Sequence, residues 1–150
     1  MRVAIAADHA GLPLKGDLIE VIQANGHEAL DLGTHGPESV DYPAYAELAC
    51  EAVRSAQAER AVILCGSGVG VGVVANKFPG IRAGVCHDHY SAHQGVEHDD
   101  MNVVCLGARI IGSEVAREVV AAFLRAQFSG DERHDRRLSK LKSIEGRFLK

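Results

Sequence analysis

Short apolar runs and stretches with helical spacing alternate along this chain from its first residues. Val3–Ala7 is continuously apolar and reads as a buried strand. Leu12–Ala24 has apolar residues at helical spacing, with Gly26 just past its end, and reads as a helix. Glu28–Leu32 is a second strand, followed by the polar turn Gly33–Ser39, and Pro43 opens a helix to about Gln57. The run Ala61–Leu64 reads as a third strand. It ends at Cys65 in a glycine-rich turn, after which Val73, Val74 and Ala75 begin a helical pattern that runs to about Lys77. Ile81–Cys86 and Asn102–Leu106 read as the last strands, with a short helix Tyr90–Asp99 between them. Ser113–Gln127 and a basic segment, Arg133–Glu145, are the final helices. Strands that alternate with helices pair in parallel, because parallel neighbours need crossover connections. The expected fold is therefore α/β: a three-layer, Rossmann-like (flavodoxin-like) five-stranded parallel sheet, with helices on both faces and a C-terminal helix.

The chain has no internal repeat, low-complexity tract or linker, and 150 residues suffice for one substantial core, so residues 1–150 read as a single domain. Its hydrophobic content of 47% and charged content of 24% are ordinary for a globular protein. A formal charge of −4, no Trp, and only three Tyr and four Phe argue against nucleic acid or an anionic membrane as a partner. No apolar run approaches the length that spans a bilayer, and Met1-Arg-Val-Ala-Ile5 enters structure without a signal-peptide pattern. Cys50, Cys65, Cys86 and Cys105 form no CxxC pair, so reduced thiols in the cytoplasm are expected.

In parallel α/β sheets, ligands bind outside the carboxyl ends of the strands. Those ends carry Asp8-His9, Cys65-Gly-Ser67, Cys86-His-Asp-His89 and Gly107-Ala-Arg109. Glycines let backbone approach a ligand closely, and N–H groups at a helix start favour an anion, so Cys65 would sit beside an oxyanion-binding turn. That suits a reaction in which a base removes a proton and charge appears on oxygen. Cysteine at a strand end is also simply a small buried hydrophobe. The turn lacks the Gly-Lys-Ser/Thr ending of a nucleotide phosphate loop. Asp8 can hold sugar hydroxyls or phosphate oxygens, or it can cap the helix that follows. His35, His87, His89, His93 and His98 raise the question of a metal, since His89 and His93 are spaced one helical turn apart. There is no HExxH and no Cys/His knuckle, and no metal is expected. Arg133 and Arg137, also one turn apart, can grip a phosphate or form a solvated charged face.

Taken together, these residues resemble the RpiB/LacAB sugar-phosphate isomerase family, most of all its type B ribose-5-phosphate isomerases. The matching segments are Ala7–Gly11, Asp41-Tyr-Pro43, Leu64–Gly70 and Ala75-Asn-Lys77. They continue through Gly80–Ala83, His98–Val103, Gly107-Ala-Arg109 and the Arg133/Arg137 pair, spanning the chain in order. The resemblance implies cofactor-independent interconversion of aldose and ketose phosphates through an enediolate. By that resemblance Cys65 removes the proton between C1 and C2, the N–H groups of Gly66, Ser67, Gly68, Val69 and Gly70 hold the developing oxyanion, and Ser67 helps move the hydroxyl proton. Asp8 orients substrate hydroxyls, His98 opens the furanose ring as a general acid, and His9, Arg109, Arg133 and Arg137 bind phosphate. It further implies a homodimer or homotetramer whose active sites are shared, with His98 and one or more arginines reaching a neighbour's Cys65. One subgroup of the family uses instead a glutamate in the following helix. Val71–Ala75 contains no acid, which favours Cys65 as the base.

One departure bears on the substrate. The familiar His-Asn-Asp is here His98-Asp99-Asp100. An asparagine amide both donates and accepts, whereas an ionised Asp99 only accepts, which would alter the preferred hydroxyl pattern and raise the pKa of His98. Ribose 5-phosphate is the first expectation. Erythrose or erythrulose 4-phosphate, allose 6-phosphate and galactose 6-phosphate are alternatives for the same chemistry. A non-catalytic sugar-phosphate sensor and a metal-dependent hydrolase are the readings of other classes; neither explains the order of the motifs.

Overall fold

A computed structural model of the chain describes residues 1–149. Strands β1 (Arg2–Ala7), β2 (Glu28–Asp31), β3 (Arg60–Cys65), β4 (Ala83–Val85) and β5 (Val103–Gly107) form one parallel sheet in the order β2-β1-β3-β5-β4. Helices α1 (Leu12–Ala24), α2 (Tyr42–Arg54), α3 (Val69–Ala75), α4 (His89–Asp99) and α5 (Ser113–Arg125) connect or follow the strands, and α6 (Glu132–Phe148) ends the chain. The three-layer α/β class matches the expectation. The flavodoxin order, 2-1-3-4-5, differs only in the last two strands, because β5 inserts between β3 and β4.

Right-handed crossovers determine which face each helix covers. The connections α2 and α3 advance along the sheet in one direction, whereas α1 and α4 turn back, so the pairs lie on opposite faces. The two cores agree. One packs Leu14, Leu18 and Ile22 of α1, Val96 of α4 and Val120 and Phe123 of α5 on Val3, Ile5, Val62 and Leu106. The other packs Ala46, Ala49 and Cys50 of α2 and Val71 and Ala75 of α3 on Ala4, Ile63 and Cys105. Strand residues alternate between these cores because successive side chains point to opposite faces.

Several expected boundaries move inward. Helix α2 ends at Arg54 rather than near Gln57, and only Ala83–Val85 of the Ile81–Cys86 run pairs as strand. Helix α3 instead starts earlier, at Val69, inside the glycine run. Glycine disfavours a helix by about 1 kcal/mol relative to alanine, but here burial of Val71, Gly72 and Ala75 against the sheet outweighs it. A side chain at Gly72 would press on Val85 at 3.0 Å. Arg60, at the start of β3, donates to the carbonyls of Phe123 and Ala126 and so terminates α5, whose last carbonyls have no helical partner.

Candidate active site

Asp8, His9, Cys65, Ser67 and Arg109 come together around a cavity of about 460 Å3 at the carboxyl edge of the sheet, within the range typical of small-ligand sites. The junction of β3 with α3 is built by close backbone approach. Gly68 has φ +80°, and a Cβ there would lie 3.0 Å from the Leu106 carbonyl carbon. Gly107 faces it, and its Cβ would meet the Ser67 backbone at 2.6 Å. With neither side chain present, the turn folds back on its strand, and the Gly68 N–H donates to Cys65 Sγ at 3.0 Å. The Val69 N–H donates to Ser67 Oγ at 3.2 Å. A sulfur that receives an N–H at a helix start is arranged as a base or nucleophile is.

The other thiols differ. Burial pushes Cys50 up to about 12 and Cys86 up to about 11, and it raises fully enclosed Cys105 well above the ordinary thiol value. All four cysteines are free, and Cys65 is the one that lines this cavity. Asp8 is buried at 6% exposure, and its Oδ1 accepts from the N–H groups of Ala10 and Gly11, both at 2.9 Å. One carboxylate oxygen therefore holds the turn into α1, as the capping reading of Asp8 expects. The Val40 N–H donates to His9 Nδ1 at 3.2 Å. That leaves the proton on Nε2, so the ring presents a donor, as an anionic ligand requires.

Two lining residues escaped the sequence reading. The ring of Tyr42 lies against Gly70, where a Cβ would be 2.9 Å from the ring carbons, and Ile110 borders Arg109. Tyr42 belongs to the Asp41-Tyr-Pro43 segment; periodicity marks it only as a helix start. The Gly107 N–H donates to His87 Nε2 at 2.9 Å, which ties the end of β4 to this turn.

His98, Asp99, Arg133 and Arg137 lie elsewhere. Helix α4 runs back from the carboxyl edge, so its last turn reaches the amino edge, where Arg82 before β4 pairs with Asp100 at 2.8 Å. The five residues of β5 separate this end from the Cys65 row, roughly 15 Å along the strand direction. There the ring of His98 stacks on His134 of α6, centroids 4.0 Å apart. Arg133 and Arg137 are exposed on the same first turns of α6. Beside this cluster, α6, α4 and β4 enclose a groove of about 810 Å3, lined by Ile81, Met101, Leu141, Ile144 and Phe148, with Asp99 and Arg137 on its border. Ile144 is 53% and Phe148 77% exposed. His93 pairs with Glu97 at 2.8 Å, and among the described residues no group of three His, Cys, Asp or Glu could hold a metal. Among the described residues no helix is long and apolar enough to cross a membrane.

A sequence model of the Ribose/Galactose Isomerase family matches residues 3–141. The chain is 40% identical over 146 residues to ribose-5-phosphate isomerase B of Escherichia coli strain K12, covering 97% of each protein. It is 39% identical over 132 residues to D-erythrulose-4-phosphate isomerase of Pectobacterium atrosepticum, covering 87% of this chain and 86% of that one. Type B ribose 5-phosphate isomerase from Trypanosoma cruzi superposes with a TM-score of 0.95 at 43% identity, over 98% of this chain and 99% of that one.

Proposed function

The chain belongs to the ribose/galactose isomerase family and is an aldose–ketose isomerase of sugar phosphates, and on that premise we propose that it interconverts ribose 5-phosphate and ribulose 5-phosphate through an enediolate. The observation that carries the reading is the Cys65 sulfur, hydrogen-bonded by Gly68 in a cavity that also holds Asp8, His9 and Arg109. The thiolate takes the C2 proton of the open aldose; the C–H electron pair becomes the C1=C2 bond, and the C1 oxygen gains the charge. First-turn N–H groups of α3, Gly70 foremost, meet that oxygen, because the Gly68 and Val69 N–H groups already have acceptors. Ser67 relays the O2 proton to O1, and the Cys65 thiol returns its proton to C1, giving the ketose. Atoms and charge balance without a metal or organic cofactor.

His98 opens the furanose by protonating the ring oxygen as the C1–O bond breaks and the anomeric hydroxyl passes its proton to water. Within one chain it lies too far from Cys65 for this. The active unit is therefore a homodimer, or a homotetramer built from such dimers, in which His98, Arg133 and Arg137 of one copy complete the Cys65 cavity of another. The exposed apolar groove along α6 supports that pairing, since large exposed apolar patches mark interfaces. His9 and Arg109 would then meet the phosphate from one side and the α6 arginines from the other. The whole chain acts as one isomerase domain on a cytoplasmic sugar phosphate.

Asp99 favours a second reading, the same chemistry on a shorter or longer sugar phosphate. It stands beside the ring-opening histidine, where a carboxylate accepts and does not donate. The test is kcat/KM in excess chelator for ribose 5-phosphate, erythrose 4-phosphate and allose 6-phosphate. Fastest turnover of ribose 5-phosphate supports the first reading. A preference of about tenfold for another sugar, worth about 1.4 kcal/mol of transition-state discrimination, transfers the assignment to it.

A further inference from the structure

The ring of His134 is 1% exposed, yet its Nε2 has no hydrogen-bond partner within the chain. Buried polar atoms are ordinarily paired, so an orphaned imidazole nitrogen calls for a reason beyond filling space. Three contacts define its place. Its face stacks on His98 at 4.0 Å with an interplanar angle of 26°. Its Nδ1 is tied to Ser129 Oγ, which also accepts the Asp131 N–H. The Ser129 N–H in turn donates to the Glu97 carbonyl at 2.9 Å, one residue before His98. Ser129 thus links the end of α4 to the start of α6, by one bond to Glu97 on one side and by bonds to Asp131 and His134 on the other, and His134 is the ring held between them.

We propose that His134 is a positioning residue for ring opening, a flat platform that fixes the plane in which the His98 imidazole presents its proton. The inference rests on the role of His98 proposed above. A general acid works only when its N–H is aligned with the receiving oxygen, and an imidazole on an exposed helix end rotates about two bonds unless something packs against it. The bond at Nδ1 and the stack on His98 hold the ring in place, and Nε2 takes no part in the platform. His134 also stays uncharged beside His98: burial foremost, then His98, Arg133 and Arg137, all disfavour its protonation, and only Asp131 opposes them.

The two directions of the reaction separate this role from a structural one. Ribose 5-phosphate must be opened before enolisation. Ribulose 5-phosphate cannot close to a furanose, because its O5 carries the phosphate, so exchange of its C1 hydrogen with solvent in D2O reports enolisation alone. His134→Leu is expected to lower kcat/KM for ribose 5-phosphate by about tenfold to a hundredfold while C1 exchange stays within about twofold. His134→Phe, which keeps a planar ring, should restore most of the loss. Ser129→Ala, at an exposed position, should show a smaller loss with the same selectivity. Equal losses in both assays, or a raised KM for both sugars, would overturn the proposal by showing that His134 only anchors α6 and its arginines. Should His134→Leu fail to fold, Ser129→Ala decides, and an unchanged ratio of the two rates overturns the proposal. His98→Asn checks the premise separately. If it spares opening as well, the role of His98 itself is wrong; if it is selective and the His134 and Ser129 variants are not, only the platform is refuted.

Discussion

A mixture of two inactive variants tests the division of the site most directly. Cys65→Ser removes the proposed base at the carboxyl edge of the sheet, and His98→Asn removes the proposed acid at the amino edge. Their separation within one chain, roughly 15 Å along the strand direction, exceeds any side-chain reach. If sites are shared across a two-fold axis, each mixed dimer contains one site with both lesions and one with neither. Random assortment makes half of the dimers mixed, so about a quarter of all sites regain wild-type chemistry. Each parent alone should retain about a hundredth of wild-type activity or less on ribose 5-phosphate, since a positioned acid or base contributes about a hundredfold to ten-thousandfold. The assay is ribose 5-phosphate turnover after the variants, one carrying a mass tag, are co-expressed. Native mass spectrometry counts the mixed species. Activity near a quarter of wild type, in proportion to the mixed fraction, is the expected outcome. Mixed dimers with no more activity than their parents would refute the shared site and require α4 or α6 to move within a chain.

Four further expectations follow from particular contacts. Cys65→Ser should abolish C1 exchange of ribulose 5-phosphate yet leave the far-ultraviolet circular dichroism unchanged; exchange at near-native rate would exclude the thiol as base. Arg60→Met removes two charge-assisted bonds to the last carbonyls of α5 and should cost about 3 kcal/mol, lowering Tm by about 6–12 °C in a chain of this size; scans at fixed protein concentration, with a fall under about 2 °C, would show those bonds to be idle. Gly70→Ala places a methyl 2.9 Å from the Tyr42 ring and should raise KM by displacing it, with the near-ultraviolet tyrosine signal reporting the shift; Tyr42→Ala combined with it should relieve the clash. His134 has a folded pKa below its unfolded value, so its contribution to stability is full above about pH 6.5 and is lost as pH falls through that value. Tm should therefore drop from pH 7.5 to 5.5 more steeply in the parent than in His134→Phe, and parallel curves would contradict the assignment.

Much of the candidate site was legible because the fold places it by a local rule. Asp8 and Arg109 follow strands β1 and β5 and Cys65 ends β3, these ends share one edge, and apolar runs alone locate them. The helical start at Val69 was not legible, because glycine's weak propensity hides a helix that sheet packing enforces. Tyr42 and Ile110 were missed for a related reason: an exposed aromatic at a helix start and an aliphatic after an arginine carry no signal until a cavity forms beside them. His134 reads as one polar residue in a basic helix, and only contact with α4 makes it buried.

The order of apolar runs and helical stretches by itself determined the α/β class, the element sequence and the Cys65 turn. Each of these depends on neighbours a few residues away, through the strand and helix periodicities and the steric freedom of glycine. Only the tertiary structure decided that β5 lies between β3 and β4, which turns α4 back onto the face that carries α1 and α5, and that α6 packs His134 against His98. Strand order is a competition among long-range pairings, in which crossover handedness and the packing of two faces act together. No local pattern in the chain encodes that outcome, whereas the placement of His98 at the edge opposite Cys65 follows from any parallel crossover.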